Sequence, residues 1–264
     1  MDSNLKKIIN IILSLISTTV NAIGKCSFCI IEYYKKMPPE MQKRITSGIL
    51  IAIAIIFLTI KGGVYYQGFI MGICILMVIE LLGMLENLKS KNINFYMLYK
   101  KWGLFYIFTT CISIMLIREE TQGLKVTLWM FASVFSLDVF AYFGGKKFGT
   151  HKLAPEISPG KTYEGAICGT AGSIIVSIIV YKFFHKADSI LGLRMESVIV
   201  LSFAVAVLAQ IGDISESWLK RACGVKDSGS ILPGHGGVLD RFDSIMMAAP
   251  FIYVVLFINR GILF

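Results

Sequence analysis

The sequence predicts an all-α, polytopic membrane bundle of about seven transmembrane helices with an N-terminal amphipathic extension. Three observations predict it. Of the 264 residues, 55% are hydrophobic and 16% charged, whereas a soluble domain carries roughly 25% charged residues. Apolar runs near the ~20 residues needed to cross ~30 Å of hydrocarbon recur along the chain. Basic residues gather in every second connection between those runs, as cytoplasmic loops do. Without water in the hydrocarbon layer the backbone must satisfy its own polar groups, so these runs are helices.

Residues 1–43 form the extension and residues 44–264 the transmembrane domain. In the extension, Ile8, Ile9, Ile12, Leu13, Leu15, Ile16, Val20 and Ile23 fall on one helical face, and Lys7, Asn10, Ser14, Ser17 and Asn21 on the other. That stripe predicts a helix lying in the membrane interface. The spans follow as Ile45–Ile60, Tyr65–Leu85, Leu104–Ile117, Val126–Phe143, Gly165–Tyr181, Ser197–Gly212 and Ser244–Ile258. The third is short for a full crossing. Connections are short throughout, which predicts one compact bundle.

Charge orients the bundle. Lys35, Lys36, Lys43 and Arg44 precede the first span; Lys89, Lys91, Lys100 and Lys101 follow the second. Lys146, Lys147, Lys152 and Lys161 follow the fourth, and Lys220, Arg221, Lys226 and Arg241 the sixth. Only Lys61, Arg118, Lys125, Lys182, Lys186, Arg194 and Arg260 lie on the other side. The richer side is therefore read as cytoplasmic and the C-terminus as outside. The formal charge of +9 then belongs to loops facing anionic lipid rather than to a nucleic-acid surface. Of six cysteines only Cys26 and Cys29 make a CxxC, and no second pair completes a zinc site.

The chemistry gathers where the sixth span ends and the seventh begins. Asp213 closes an apolar run, where an ionised carboxylate is costly. Asp240 and Asp243, three residues apart, share a helical face at the start of the seventh span. Three aspartates at the cytoplasmic ends of two consecutive spans suit a hard cation such as Mg²⁺, which takes one or two carboxylates and completes its shell with water and phosphate. Between them Gly234, Gly236 and Gly237 permit close backbone approach to an anion, and Pro233 stiffens the entry. Lys220, Arg221, Lys226 and Arg241 supply positive charge. His235 is open between a nucleotide contact, a general acid–base and a structural hydrogen-bonder. Glu80, inside the second span, is open between a partner for a base near the site and a bundle stabiliser.

The stretch from Ser217 to Asp243, S-x-L-K-R-x4-K-D-x-G-x2-L-P-G-H-G-G-x-x-D-R-x-D, closely resembles the signature of phosphatidate cytidylyltransferases. Asp138-Val139-Phe140-Ala141-Tyr142 at the end of the fourth span and Ser158-Pro159-Gly160-Lys161-Thr162-Tyr163-Glu164-Gly165 at the start of the fifth continue the resemblance. It runs from about Arg44 to the C-terminus. It implies Mg²⁺-dependent transfer of CMP from CTP onto phosphatidic acid, giving CDP-diacylglycerol and pyrophosphate at the cytoplasmic face of a bacterial inner membrane, by a homodimer. Carried over by resemblance, Asp213 and Asp240 hold metal, with Asp243 as a further ligand. Lys161 contacts phosphate, Ser158 and Thr162 assist, Asp138 supports the site, and Glu164 opens the fifth helix. Competing expectations are a CTP-dependent polyprenol or phytol kinase-like enzyme and an ion-coupled transporter. The latter leaves the glycine-rich loop without a role.

Overall fold

The computed structural model describes residues 38–89, 92–185, 194–232 and 236–262. The expected interfacial helix, Cys26, Cys29, Gly234 and His235 lie outside the described residues. Seven helices follow one another: α1 (Pro39–Lys61), α2 (Gly63–Lys89), α3 (Ile93–Glu119), α4 (Gly123–Phe148), α5 (Tyr163–His185), α6 (Met195–Cys223) and α7 (Leu239–Ile262). The expected all-α polytopic bundle is what forms. Helices α2 to α7 are each long and apolar enough to cross a membrane, while in α1 the apolar stretch is only Gly48–Lys61. At 1.5 Å per residue that stretch covers about 21 Å, short of the hydrocarbon thickness.

The helices outrun the apolar segments that announce them. The third expected span, Leu104–Ile117, sits inside the 27-residue α3, whose N-cap Asn92 accepts from the Asn94 and Phe95 amides at 3.0 and 3.2 Å. Backbone hydrogen bonding carries a helix past the hydrocarbon edge, so apolarity marks the crossing and capping marks the end. Likewise α6 continues to Cys223, where Gly224 (φ +73°) closes it in a left-handed cap.

Large side chains such as Trp129, Tyr66, Met77 and Leu137 are fully buried between the helices, while Ile49, Leu50, Ile53 and Phe57 of α1 face outward. An apolar exterior is what lipid as solvent demands. Helices α4 and α5 share the most extensive contact, and small residues make it possible. A side chain at Gly172 would strike the Phe140 ring, and one at Gly169 the Leu137 carbonyl. Ser133 of α4 and Ser173 of α5 share a buried 2.7 Å hydrogen bond, and Ser177 donates to Ser133 at 3.2 Å.

A two-stranded antiparallel hairpin, β1 (Lys152–Ala154) and β2 (Ser158–Thr162), joins α4 to α5, pairing Lys152 with Thr162 and Ala154 with Ser158. It modifies the all-α expectation, which left this segment as a loop. Glu164, at the start of α5, pins it by accepting from the Thr150 hydroxyl at 2.5 Å and the His151 amide at 3.2 Å. Contacts fix the ends of the bundle. Arg118 at the end of α3 donates to the Thr59 carbonyl near the end of α1, and Gln67 near the start of α2 meets Glu119. The hairpin, the end of α6 and the start of α7 meet at the other end, where Arg221 donates to the Ile157 carbonyl at 3.0 Å.

Candidate active site

At that second end a cavity of about 480 Å³ opens among α4, β2, α5, α6 and α7. Each element brings a polar group to it. Helix α4 brings Asp138; β2 brings Ser158 and Lys161; α6 brings Gln210 and Asp213; α7 brings Arg241, Asp243 and Ser244. Lys161 Nζ lies 2.7 Å from Asp213 Oδ1. The Asp243 carboxylate feels the charges of Asp138, Asp213 and Glu216. Three aspartates and two cations thus face one space, an arrangement that attracts a polyanion and a hard cation together. Among the described residues, no group of three or more Asp, Glu, His or Cys side chains is gathered as a metal cage by itself. A magnesium ion needs only one or two carboxylates.

Behind the cavity lies a buried ion cluster. Lys220 Nζ sits 2.5 Å from Glu216 Oε2, one helical turn back on α6, and 2.7 Å from Asp240 Oδ1. Asp240 also accepts from the Gly237 amide at 2.8 Å and the Ser228 amide at 3.0 Å. Its oxygens are engaged by protein donors, and it does not line the cavity. Three residues on a helix advance 300°, so Asp240 and Asp243 point 60° apart. That angle suffices to send one to the loop and the other to the cavity.

The glycine-rich loop also differs in role from its expectation. Gly236 (φ +82°) and Gly237 approach anions, but the anions are the protein's own carboxylates. A Cβ at Gly236 would lie 2.9 Å from Asp240 Oδ2, and one at Gly237 2.6 Å from Glu80 Oε2. Glu80 is buried on α2 and accepts from the Val238 and Leu239 amides at 2.9 and 2.8 Å and from the Ser228 hydroxyl at 3.2 Å. Of its two open readings, neither a basic partner nor mere packing describes it: it caps α7.

The remaining expected residues separate in the same way. Thr162 is the N-cap of α5, accepting from the Gly165 amide at 3.1 Å, and is buried. Lys220 belongs to the ion cluster. Arg221 ties α6 to the hairpin turn through Ile157 and reaches the Val225 carbonyl at 3.3 Å. Lys226 is exposed, outside the cavity. Residues missed by the reading of the sequence include Gln210, which donates to Thr170 on α5 at 2.9 Å, and Glu216. Gln210 carried a signal: a polar side chain inside the run Leu208-Ala209-Gln210-Ile211.

Every residue lining this cavity falls within residues 88–259, which the model of the Cytidylyltransferase family matches. The chain belongs to the cytidylyltransferase family. Among its similar proteins is the phosphatidate cytidylyltransferase of Rickettsia prowazekii, 36% identical over 234 residues, 85% of this chain and 95% of that protein. The phosphatidate cytidylyltransferases of Brucella abortus and Staphylococcus haemolyticus are each 42% identical, covering 58% and 52% of this chain. The chain spans about half the length of these last two, 54% and 51%. Glu80 lies just outside the stretch matched by the cytidylyltransferase family model, although its partners Ser228, Val238 and Leu239 lie inside it.

Proposed function

We propose that the protein is a phosphatidate cytidylyltransferase of a bacterial inner membrane, working at the cytoplasmic face. It transfers CMP from CTP to phosphatidic acid and releases CDP-diacylglycerol and pyrophosphate. One observation carries the reading: the charged cavity runs into an apolar groove. Leu153, Ala166, Gln210 and Ile214 line both the cavity and a groove of about 490 Å³ between α5 and α6, whose further wall includes Ile167, Ile174, Phe203 and Val207. A phosphate headgroup fits the first and an acyl chain the second. Membership of the family and the names of its relatives support the same substrates.

In the reaction a phosphate oxygen of phosphatidic acid attacks the α-phosphorus of CTP. The bond from that phosphorus to the bridging oxygen breaks, and pyrophosphate leaves with the oxygen. The nucleophile is already an oxyanion, so no strong base is required. The demand is to bring two polyanions together in line. Lys161 and Arg241, facing the cavity from β2 and α7, neutralise phosphate charge, and Ser158 and Ser244 offer hydroxyls. Asp213 and Asp243 fit Mg²⁺, being hard oxygen donors on one cavity crowded with negative charge; when bound, the ion supplies further neutralisation of the triphosphate. Asp240 holds the loop and Lys220 behind them. A homodimer is the assembly implied by the resemblance.

The test uses purified protein in detergent with phosphatidic acid, CTP and Mg²⁺, following pyrophosphate and CDP-diacylglycerol together. Equal yields of the two, abolished by EDTA, support the reaction; release of CDP instead points to a lipid kinase. Asp213→Asn is expected to lose about 10²-fold or more in rate, partly regained at high Mg²⁺. Asp240→Asn is expected to lose at least about tenfold, without that recovery. Recovery of Asp240→Asn alone would move the metal assignment to Asp240.

A further inference from the structure

We propose that Glu80 is a positioning residue for this reaction: from α2 it fixes the start of α7 and the segment before it, and through them Arg241 and Asp243. Its role in turnover presupposes the nucleotidyl transfer proposed above.

A helix leaves its first amides without intrahelical partners. At the start of α7 the residue before the helix is Val238, whose side chain cannot cap. Glu80 supplies the missing acceptor, taking the Val238 amide on Oε1 and the Leu239 amide on Oε2. Those two residues lie two to five positions before Arg241 and Asp243, which line the cavity. Glu80 does not line it.

Two carboxylates together hold Ser228 on one side and Gly237, Val238 and Leu239 on the other. Ser228 donates its amide to Asp240 and its hydroxyl to Glu80, while Gly237 donates to Asp240. The glycines of the signature make room for this grip. A Cβ at Gly229 would stand 2.6 Å from Glu80 Oε1, and one at Gly237 the same distance from Oε2. The carboxylate therefore sits in a cradle that no side chain can enter, in contact with both ends of the segment. A buried glutamate serving only the bundle would need partners but not these partners. Among the described residues, the Glu80 carboxylate accepts from Ser228, Val238 and Leu239, all in the segment and the first turn that carry the site.

Glu80→Ala would leave buried amides unpaired and risks misfolding, so the informative variant is Glu80→Gln, which keeps the volume and one acceptor oxygen. The amide nitrogen it introduces opposes an N–H rather than accepting from it. In detergent-purified full-length protein, kcat and kcat/KM for CTP are expected to fall together by about 10- to 100-fold, with the thermal unfolding midpoint close to the parent's. Ser228→Ala, which removes one of the three bonds, is expected to lose less. Hydrogen exchange gives a readout independent of turnover: amides in the 228–241 segment should exchange roughly tenfold faster in Glu80→Gln, with α4 and α5 unchanged. Parental kcat and parental exchange in Glu80→Gln overturn the proposal, as does a loss of activity that only tracks loss of folded protein. If the parent itself makes no CDP-diacylglycerol, the reaction reading fails, and the exchange experiment still decides whether Glu80 holds the segment.

Discussion

Gly237 shows what a single residue decides at this site. Its amide donates to Asp240 at 2.8 Å, and a Cβ there would lie 1.9 Å from the Ser228 hydroxyl and 2.6 Å from Glu80 Oε2. Nothing in that cradle can yield without breaking a bond to one of the two carboxylates. Gly237→Ala is therefore expected to cost about 1–3 kcal/mol of stability and most of the activity. Gly68→Ala in α2, where an added Cβ meets nothing within 4 Å, should leave the unfolding midpoint unchanged or slightly raised. Equal midpoints for the two variants in a detergent melt would remove the cradle from the account. The residue scale is also where the sequence was least legible. The sequence places Asp213, Asp240 and Asp243 at the ends of two consecutive apolar spans. It cannot say that Lys220 lies 2.7 Å from Asp240 and Lys161 the same distance from Asp213. Partner choice among like charges turns on 60° of helix rotation and on which neighbouring helix packs alongside, and neither is local information.

At the scale of elements the helices were legible and the hairpin was not. A helix in lipid announces itself by an uninterrupted apolar run, and each expected span of the bundle falls within one observed helix. The hairpin has strands of three and five residues, and Pro159 and Gly160 in β2 read as turn formers. Its stability comes from Glu164 and Thr162 at the start of α5, a tertiary cause with no periodic trace. The element that places these residues is the α4–α5 pair. Its close approach depends on Gly165, Gly169 and Gly172, and Asp138 and Ala141 on one helix and Gly165 and Ala166 on the other all line the cavity. Gly172→Leu, whose Cβ would stand 2.2 Å from the Phe140 ring, is expected to push the helices apart. The cavity lies toward the far end of that contact, so activity should fall together with the melting temperature. Loss of stability with full activity in the remaining folded protein would mean that the cavity does not depend on this spacing.

For the whole molecule the decisive question is which way the bundle faces. The hairpin, the end of α6 and the start of α7 lie at the end that carries Lys146, Lys147, Lys152, Lys161, Lys220, Arg221, Lys226 and Arg241. The opposite end, marked by Arg118 and Glu119, is poorer in basic residues. Chains are retained with their Lys- and Arg-rich short loops in the cytoplasm, and the CTP of the proposed reaction is a cytoplasmic nucleotide, so both arguments support the proposed cytoplasmic placement of the cavity. Single cysteines test this directly. In a background with Cys26 and Cys29 changed to serine, Glu156→Cys in the hairpin turn is expected to react with a membrane-impermeant maleimide in inside-out vesicles and not in intact spheroplasts. Glu120→Cys, between α3 and α4, should show the reverse. The native Cys74, Cys111 and Cys223 are buried and Cys168 is half-buried, and the parent carrying these four thiols gives the labelling background to be subtracted. If Glu156→Cys labels from outside, the cavity opens away from the nucleotide pool, and the cytidylyl-transfer reading loses its supply of CTP whatever the purified enzyme does in detergent.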